Sequence, residues 1–128
     1  MKIKIKKLVI LGAGKLLFTV YSKTDWKRLN IQVKQIFLSD VNIREDKKRF
    51  SKNTTLINSL KINTPKFFKE IIKINPDLIL CVGLRDILKK KFLKNKNIKF
   101  INLHGALLPH QRGAGGDYGA MINDNTYG

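Results

Sequence analysis

Leu8-Val9-Ile10-Leu11-Gly12-Ala13-Gly14 is the stretch that decides the fold class. Four consecutive apolar residues mark a strand buried on both faces, the habit of a parallel sheet. Gly12-Ala13-Gly14 reads as a tight turn. Lys15–Trp26 then follows as a helix, with Leu16, Leu17, Val20 and Tyr21 at helical spacing. A strand, a glycine turn and a helix also outline a dinucleotide site. The third glycine of G-x-G-x-x-G would fall on Leu17, so a plain tight turn is expected.

The rest of the chain repeats this alternation. Ile31–Leu38 is a second strand, only partly alternating, which predicts a place near a sheet edge. Residues 39–63 are polar, basic and poorly periodic, with a short strand or helical turn expected at Leu56-Ile57 and Leu60-Lys61-Ile62. Thr64-Pro65 opens a helix as N-cap and first-turn proline, Phe67, Phe68, Ile71 and Ile72 share one face, and Asn75-Pro76 stops it. Leu78–Val82 is a third buried strand, broken by Gly83-Leu84-Arg85-Asp86. Ile87–Leu93 is a short amphipathic helix, Lys94–Asn97 a turn, and Ile98–Leu103 a fourth strand. Strands alternating with helices predict an α/β, Rossmann-like, doubly wound parallel sheet with right-handed crossovers, incomplete at its C-terminal side. Nothing divides residues 1–128, so one domain is expected. Ligands of such sheets bind outside the carboxyl ends of the strands. That gathers Gly12–Gly14, Gly83–Asp86 and Asn102–Gly116 at one edge.

Composition narrows the function classes. With 43% hydrophobic residues the chain can bury a core, and no stretch nears the about 18 continuous apolar residues of a membrane span. The basic start, Met1–Lys7, runs into a short apolar stretch that ends in glycines, which fits a strand rather than a signal peptide. The lone cysteine, Cys81, sits in an apolar run and reads as a core thiol in a reducing, cytoplasmic setting. No metal site is read from the sequence. The net charge of +17 is mostly lysine spread along the chain. It points to an anionic partner, nucleic acid or an anionic small molecule, or to compositional drift. Arg44–Arg49 reads as a solvated face, and Asp40 as a turn or cap residue.

The candidate site is at the end of the fourth strand. Strand side chains alternate, so Asn102 and His104 face one way and Leu103 the other. A neutral amide donor beside an imidazole suits a reaction that develops an oxyanion and moves a proton, such as acyl transfer to an amine. The structural alternative is a histidine hydrogen-bonded to a loop carbonyl.

The surrounding residues carry a resemblance. Asn102-Leu103-His104-Gly105-Ala106-Leu107-Leu108-Pro109-His110-Gln111-Arg112-Gly113 resembles the N-x-H-x-[S/A]-L-L-P-x-x-R-G signature of the folate-dependent formyltransferases. Cys81-Val82-Gly83-Leu84-Arg85-Asp86-Ile87-Leu88 resembles their G-x-x-x-I-L turn. The resemblance implies that 10-formyltetrahydrofolate is the formyl donor. It implies Asn102 and His104 as catalytic residues. Gly83, Leu84, Arg85, Asp86, Ile87 and Leu88 would hold the pterin, and Leu107, Leu108 and Pro109 would close over the reaction centre. Apart from the resemblance, Arg112 reads as a salt bridge fixing the loop rather than as a ligand contact.

Two departures bear on activity. The family's third catalytic residue, an aspartate, follows a further helix and strand. Asp117 and Asp124 come too early, so the chain is expected to be the N-terminal part of a catalytic domain, inactive or weak alone. Gly115-Gly116-Asp117-Tyr118-Gly119 replaces a stretch that carries proline and tryptophan in relatives. The expected acceptor is an amine, leaning to a nucleotide-linked amino sugar. The alternatives are methionyl-tRNA, water in a formyltetrahydrofolate deformylase, and a non-catalytic nucleotide- or nucleic-acid-binding α/β module.

Overall fold

A computed structural model describes residues 4–39, 50, 53–84 and 86–103. The strands are β1 (Lys7–Gly12), β2 (Gln32–Leu38), β3 (Thr54–Leu56), β4 (Leu78–Val82) and β5 (Lys99–Leu103). The helices are α1 (Gly14–Lys23), α2 (Pro65–Ile74) and the four-residue α3 (Lys90–Leu93), with a 3₁₀ turn at Ser59–Lys61. The five strands form one sheet, all parallel, in the order β3-β2-β1-β4-β5. This is the strand order of a doubly wound fold.

Both faces of the central strand are covered, as its unbroken apolar run requires. Leu8, Val9, Ile10 and Leu11 are each at most 1% exposed. Val9 and Leu11 enter one core with Phe37, Phe67, Ile71, Ile79, Cys81 and Phe92. Leu8 and Ile10 enter the other, with Leu17 of α1, Ile36, Leu38 and Val82. The first core holds a run of phenylalanine contacts, Phe37–Phe67, Phe67–Phe92 and Phe92–Phe100, with ring centroids 5.0, 5.7 and 5.8 Å apart. Such spacings are those at which aromatic pairs attract beyond their buried area.

Helix α2 has the ends that its sequence specifies. The Thr64 hydroxyl accepts from Phe67 N–H (3.3 Å), and Asn75 takes φ 52°, its N–H donating to the Ile71 and Ile72 carbonyls. Helix α1 is shorter than expected. It stops at Lys23 because the Thr24 hydroxyl donates back to the Val20 carbonyl (2.6 Å) and Asp25 accepts from Arg28 N–H to start a separate turn. Trp26 therefore stands outside the helix. The expected helix over Ile87–Leu93 also shortens, to Lys90–Leu93.

Strand β2 lies near a sheet edge, as expected: only the three-residue β3 stands outside it. The partial alternation of β2 has a local cause. Leu8 pairs with Val33 and Val9 with Gln35, so Lys34 is an extra residue in the β1–β2 register. The slip brings Ile31, Val33, Ile36 and Leu38 to the same core despite the break in period two.

Cys81 is 4% exposed, and desolvation pushes its thiol up to about 12. It is a protonated core group at neutral pH, as the sequence indicated. Native protein at pH 8 should therefore resist a disulfide reagent, and denaturant should release one reactive thiol per chain. Rapid native modification would contradict this packing.

Candidate functional site

Three segments meet at the carboxyl edge of the sheet. The turn after β1 is locked to the end of β4. Ala13 N–H donates to the Val82 carbonyl (3.2 Å), and a Cβ on Gly12 would lie 1.8 Å from that same oxygen. Gly83 takes φ 62°, and a Cβ there would lie 2.8 Å from the Ala13 carbonyl oxygen. The glycines at 12 and 83 are thus demanded by close backbone approach. A role for Gly12 in dinucleotide binding is not needed to explain it.

The segment after Gly83 leaves the sheet edge in a fixed path. Leu84 and Leu88 are half-buried and pack against the first core, whereas the Ile87 side chain is 74% exposed. Two side chains from elsewhere hold the segment. The Ser39 hydroxyl, at the end of β2, donates to the Asp86 carboxylate (3.0 Å). Asn63 clamps from the residue before the cap of α2: its Nδ2 donates to the Ile87 carbonyl (2.9 Å), and its Oδ1 accepts from Lys89 N–H (2.7 Å). Neither Ser39 nor Asn63 was identified from the sequence. Their partners lie 47 and 24–26 residues away, and no local pattern signals such a bond.

Asn102 is the penultimate residue of β5, in register with Cys81 of β4, and its side chain is exposed. Phe100, two residues earlier, packs into the first core against Phe92. By alternation Asn102 projects from that same face, the face on which Leu84 and Leu88 pack. Its amide and the Gly83–Leu88 segment therefore share one side of one sheet edge. Ile101 and Leu103 project from the opposite face and are 54% and 42% exposed.

The arrangement fits a flat, partly apolar heterocycle such as a pterin. The segment combines an apolar backing with a backbone held by Asn63 and an Asp86 side chain held by Ser39, and an amide donor stands at the neighbouring strand end. Arg85, His104, Leu107, Leu108, Pro109 and Arg112 lie outside the described residues, as do Asp40, Arg44–Arg49, Asp117, Asp124 and the Gly115–Gly119 stretch.

Comparison with known proteins shows the family of the chain. Residues 6–123 match the family model described as formyl transferase. A methionyl-tRNA formyltransferase of Fusobacterium nucleatum subsp. nucleatum is 39% identical over 93 residues, 66% of this chain and 30% of that protein. One from Ruminiclostridium cellulolyticum is 38% identical over 63 residues, 49% of this chain and 20% of that protein. The chain thus spans less than a third of either relative's length. Among solved structures, phosphoribosylglycinamide formyltransferase of Campylobacter jejuni superposes with a TM-score of 0.68 at 27% identity, covering 90% of this chain and 66% of that one.

Proposed function

Because this chain belongs to the formyl transferase family, we propose that it forms the N-terminal part of a catalytic domain that moves a formyl group from 10-formyltetrahydrofolate to an amine. The observation that carries the proposal is the sharing of one sheet face and edge by the Asn102 amide and the clamped Gly83–Leu88 segment. The folate, when bound, supplies the formyl carbon as an electrophile. The chain's residues do the rest. Gly83, Leu84, Arg85, Asp86, Ile87 and Leu88 seat the pterin, with Ser39 and Asn63 fixing their path. The neutral Asn102 amide donates a hydrogen bond where negative charge develops on oxygen, a role that needs no proton transfer of its own. His104 holds and moves the proton. Leu107, Leu108 and Pro109 close over the reacting centre.

We take the acceptor to be an amine carried on tRNA rather than the nucleotide-linked amino sugar expected from the sequence. What supports this choice is that the curated relatives above are named methionyl-tRNA formyltransferases. The net charge of +17 favours a polyanionic substrate as well. An assay of formyl transfer from the folate to aminoacyl-tRNA, glycinamide ribonucleotide and nucleotide-linked amino sugars, with the complete catalytic domain, tests the reading. No transfer to any of these amines, together with no folate binding, would overturn it.

Asn63 offers a sharper check on the pterin seat. Asn63→Ala removes two hydrogen bonds to the Ile87–Lys89 backbone, each worth about 1 kcal/mol. The KM for the folate should rise about 5- to 30-fold with kcat little changed. Asn63→Asp keeps the acceptor for Lys89 N–H and should fall between. An unchanged folate KM in both variants would remove Asn63 from this role.

A further inference from the structure

A wide cleft lies away from the reaction edge. It has a volume of about 820 Å³ and lies across the amino ends of β1 and β2. The six residues of β1 separate it from the carboxyl edge by roughly 20 Å. Lys4, Lys6, Lys7 and Lys27 line it. Among the described residues Asp77 is the sole acidic one lining it, and its Oδ2 already accepts from Lys6 N–H (2.9 Å) and Lys7 N–H (2.8 Å). Those two backbone bonds, with a smaller contribution from the Lys7 and Lys6 charges, hold the Asp77 carboxyl below the usual carboxylate range, so a single carboxylate faces the four lysines.

The cleft also has an aromatic wall. Trp26 stacks on Tyr21 with ring centroids 6.5 Å apart and planes 29° from parallel. The indole N–H donates to the Tyr21 carbonyl (2.9 Å), which fixes the ring, and both residues are only half-buried. Asn30, Gln32 and Asn53 add amide groups to the rim. Fixed aromatic surface flanked by several cations and amides is the chemistry that recognises an unpaired base with its neighbouring phosphates.

We propose that this cleft binds a single-stranded RNA segment, with a base stacked against the Trp26–Tyr21 pair and the flanking phosphodiesters among the four lysines. The site is separate from the formyl-transfer edge. It extends the tRNA reading of the acceptor above, but its test reads binding without turnover, so either can fail alone.

Trp26 is the only tryptophan of the chain, so its fluorescence reports directly on the cleft. Titrating the intact protein with a short oligoadenylate should quench this fluorescence saturably. The apparent affinity should fall with salt, with a log–log slope of about −2 to −3 for three or four phosphate contacts. Inorganic polyphosphate should displace the RNA by charge without reproducing the quench. Lys4→Glu/Lys27→Glu should weaken RNA binding at least about tenfold and flatten the slope by about 1.4. Lys66→Glu/Lys73→Glu, on the exposed side of α2, is the matched control and should change affinity far less. Three results would overturn the proposal: no change in Trp26 fluorescence on RNA binding, the same quench with polyphosphate, or equal losses in the two charge-reversed proteins. The last would assign the affinity to charge spread over the whole surface.

Discussion

Asn102→Ala should lower kcat for formyl transfer by about 10²- to 10³-fold in the complete catalytic domain, with the folate KM nearly unchanged. That is the usual cost of removing one preorganised donor to a developing oxyanion. The location of Asn102 makes the test clean. It is exposed at the end of β5, and its neighbour in register is Cys81, whose packing does not depend on the amide. A surface truncation of this kind leaves stability within about 0.5 kcal/mol, so the melting temperature should hold while activity falls. Asn102→Asp should be at least as impaired, because a carboxylate there repels the charge that the amide stabilises. His104→Ala should cost about 10²- to 10⁴-fold, as loss of a positioned proton carrier does. If Asn102→Ala retains kcat within a factor of about three, Asn102 is not the oxyanion donor.

The second large effect is on stability. Gly12→Ala should destabilise the fold by about 3 kcal/mol or more, a large share of the about 5–15 kcal/mol typical of a domain. The added Cβ would stand 1.8 Å from the Val82 carbonyl oxygen and 2.8 Å from its carbon. These are backbone atoms of a strand paired with β1 in register, Gly12 opposite Val82. They cannot move without opening the centre of the sheet. Leu17 Cδ1, at 3.0 Å, blocks the other way out. Thermal unfolding should fall by roughly 10 °C or more. Gly14→Ala is the contrast. Nothing lies within 4 Å of a Cβ there, and only the positive φ of 74° resists it, a cost of about 1 kcal/mol. Similar losses in the two variants would mean that the Gly12 contact is relieved by a strand shift.

Much of the chemistry was legible at the level of single segments. The Leu8–Leu11 run announced a strand covered on both faces, and it is the middle strand of five. Thr64-Pro65 and Asn75 marked the ends of α2 because caps are local hydrogen bonds. Period two placed Asn102 on a definite face, and the packing of Phe100 shows which face that is. The same logic faltered in β2. The extra residue at Lys34 shifts the phase, and only pairing with β1 reveals that Ile31, Val33, Ile36 and Leu38 still share a core.

By itself, then, the amino-acid sequence determined a parallel α/β sheet, the order of its elements along the chain, and an Asn-x-His motif at a strand end. Those follow from periodicity and capping, which act over a few residues. The tertiary structure alone decided that the short β3 stands outside β2 at one edge and that Gly12 is pinned against Val82. It alone placed Ser39 on the Asp86 carboxylate and Asn63 on the Ile87–Lys89 backbone, and gathered four lysines around Trp26 at the far edge. Each of these joins groups tens of residues apart, and contacts at that separation exist only once the crossovers have stacked the strands.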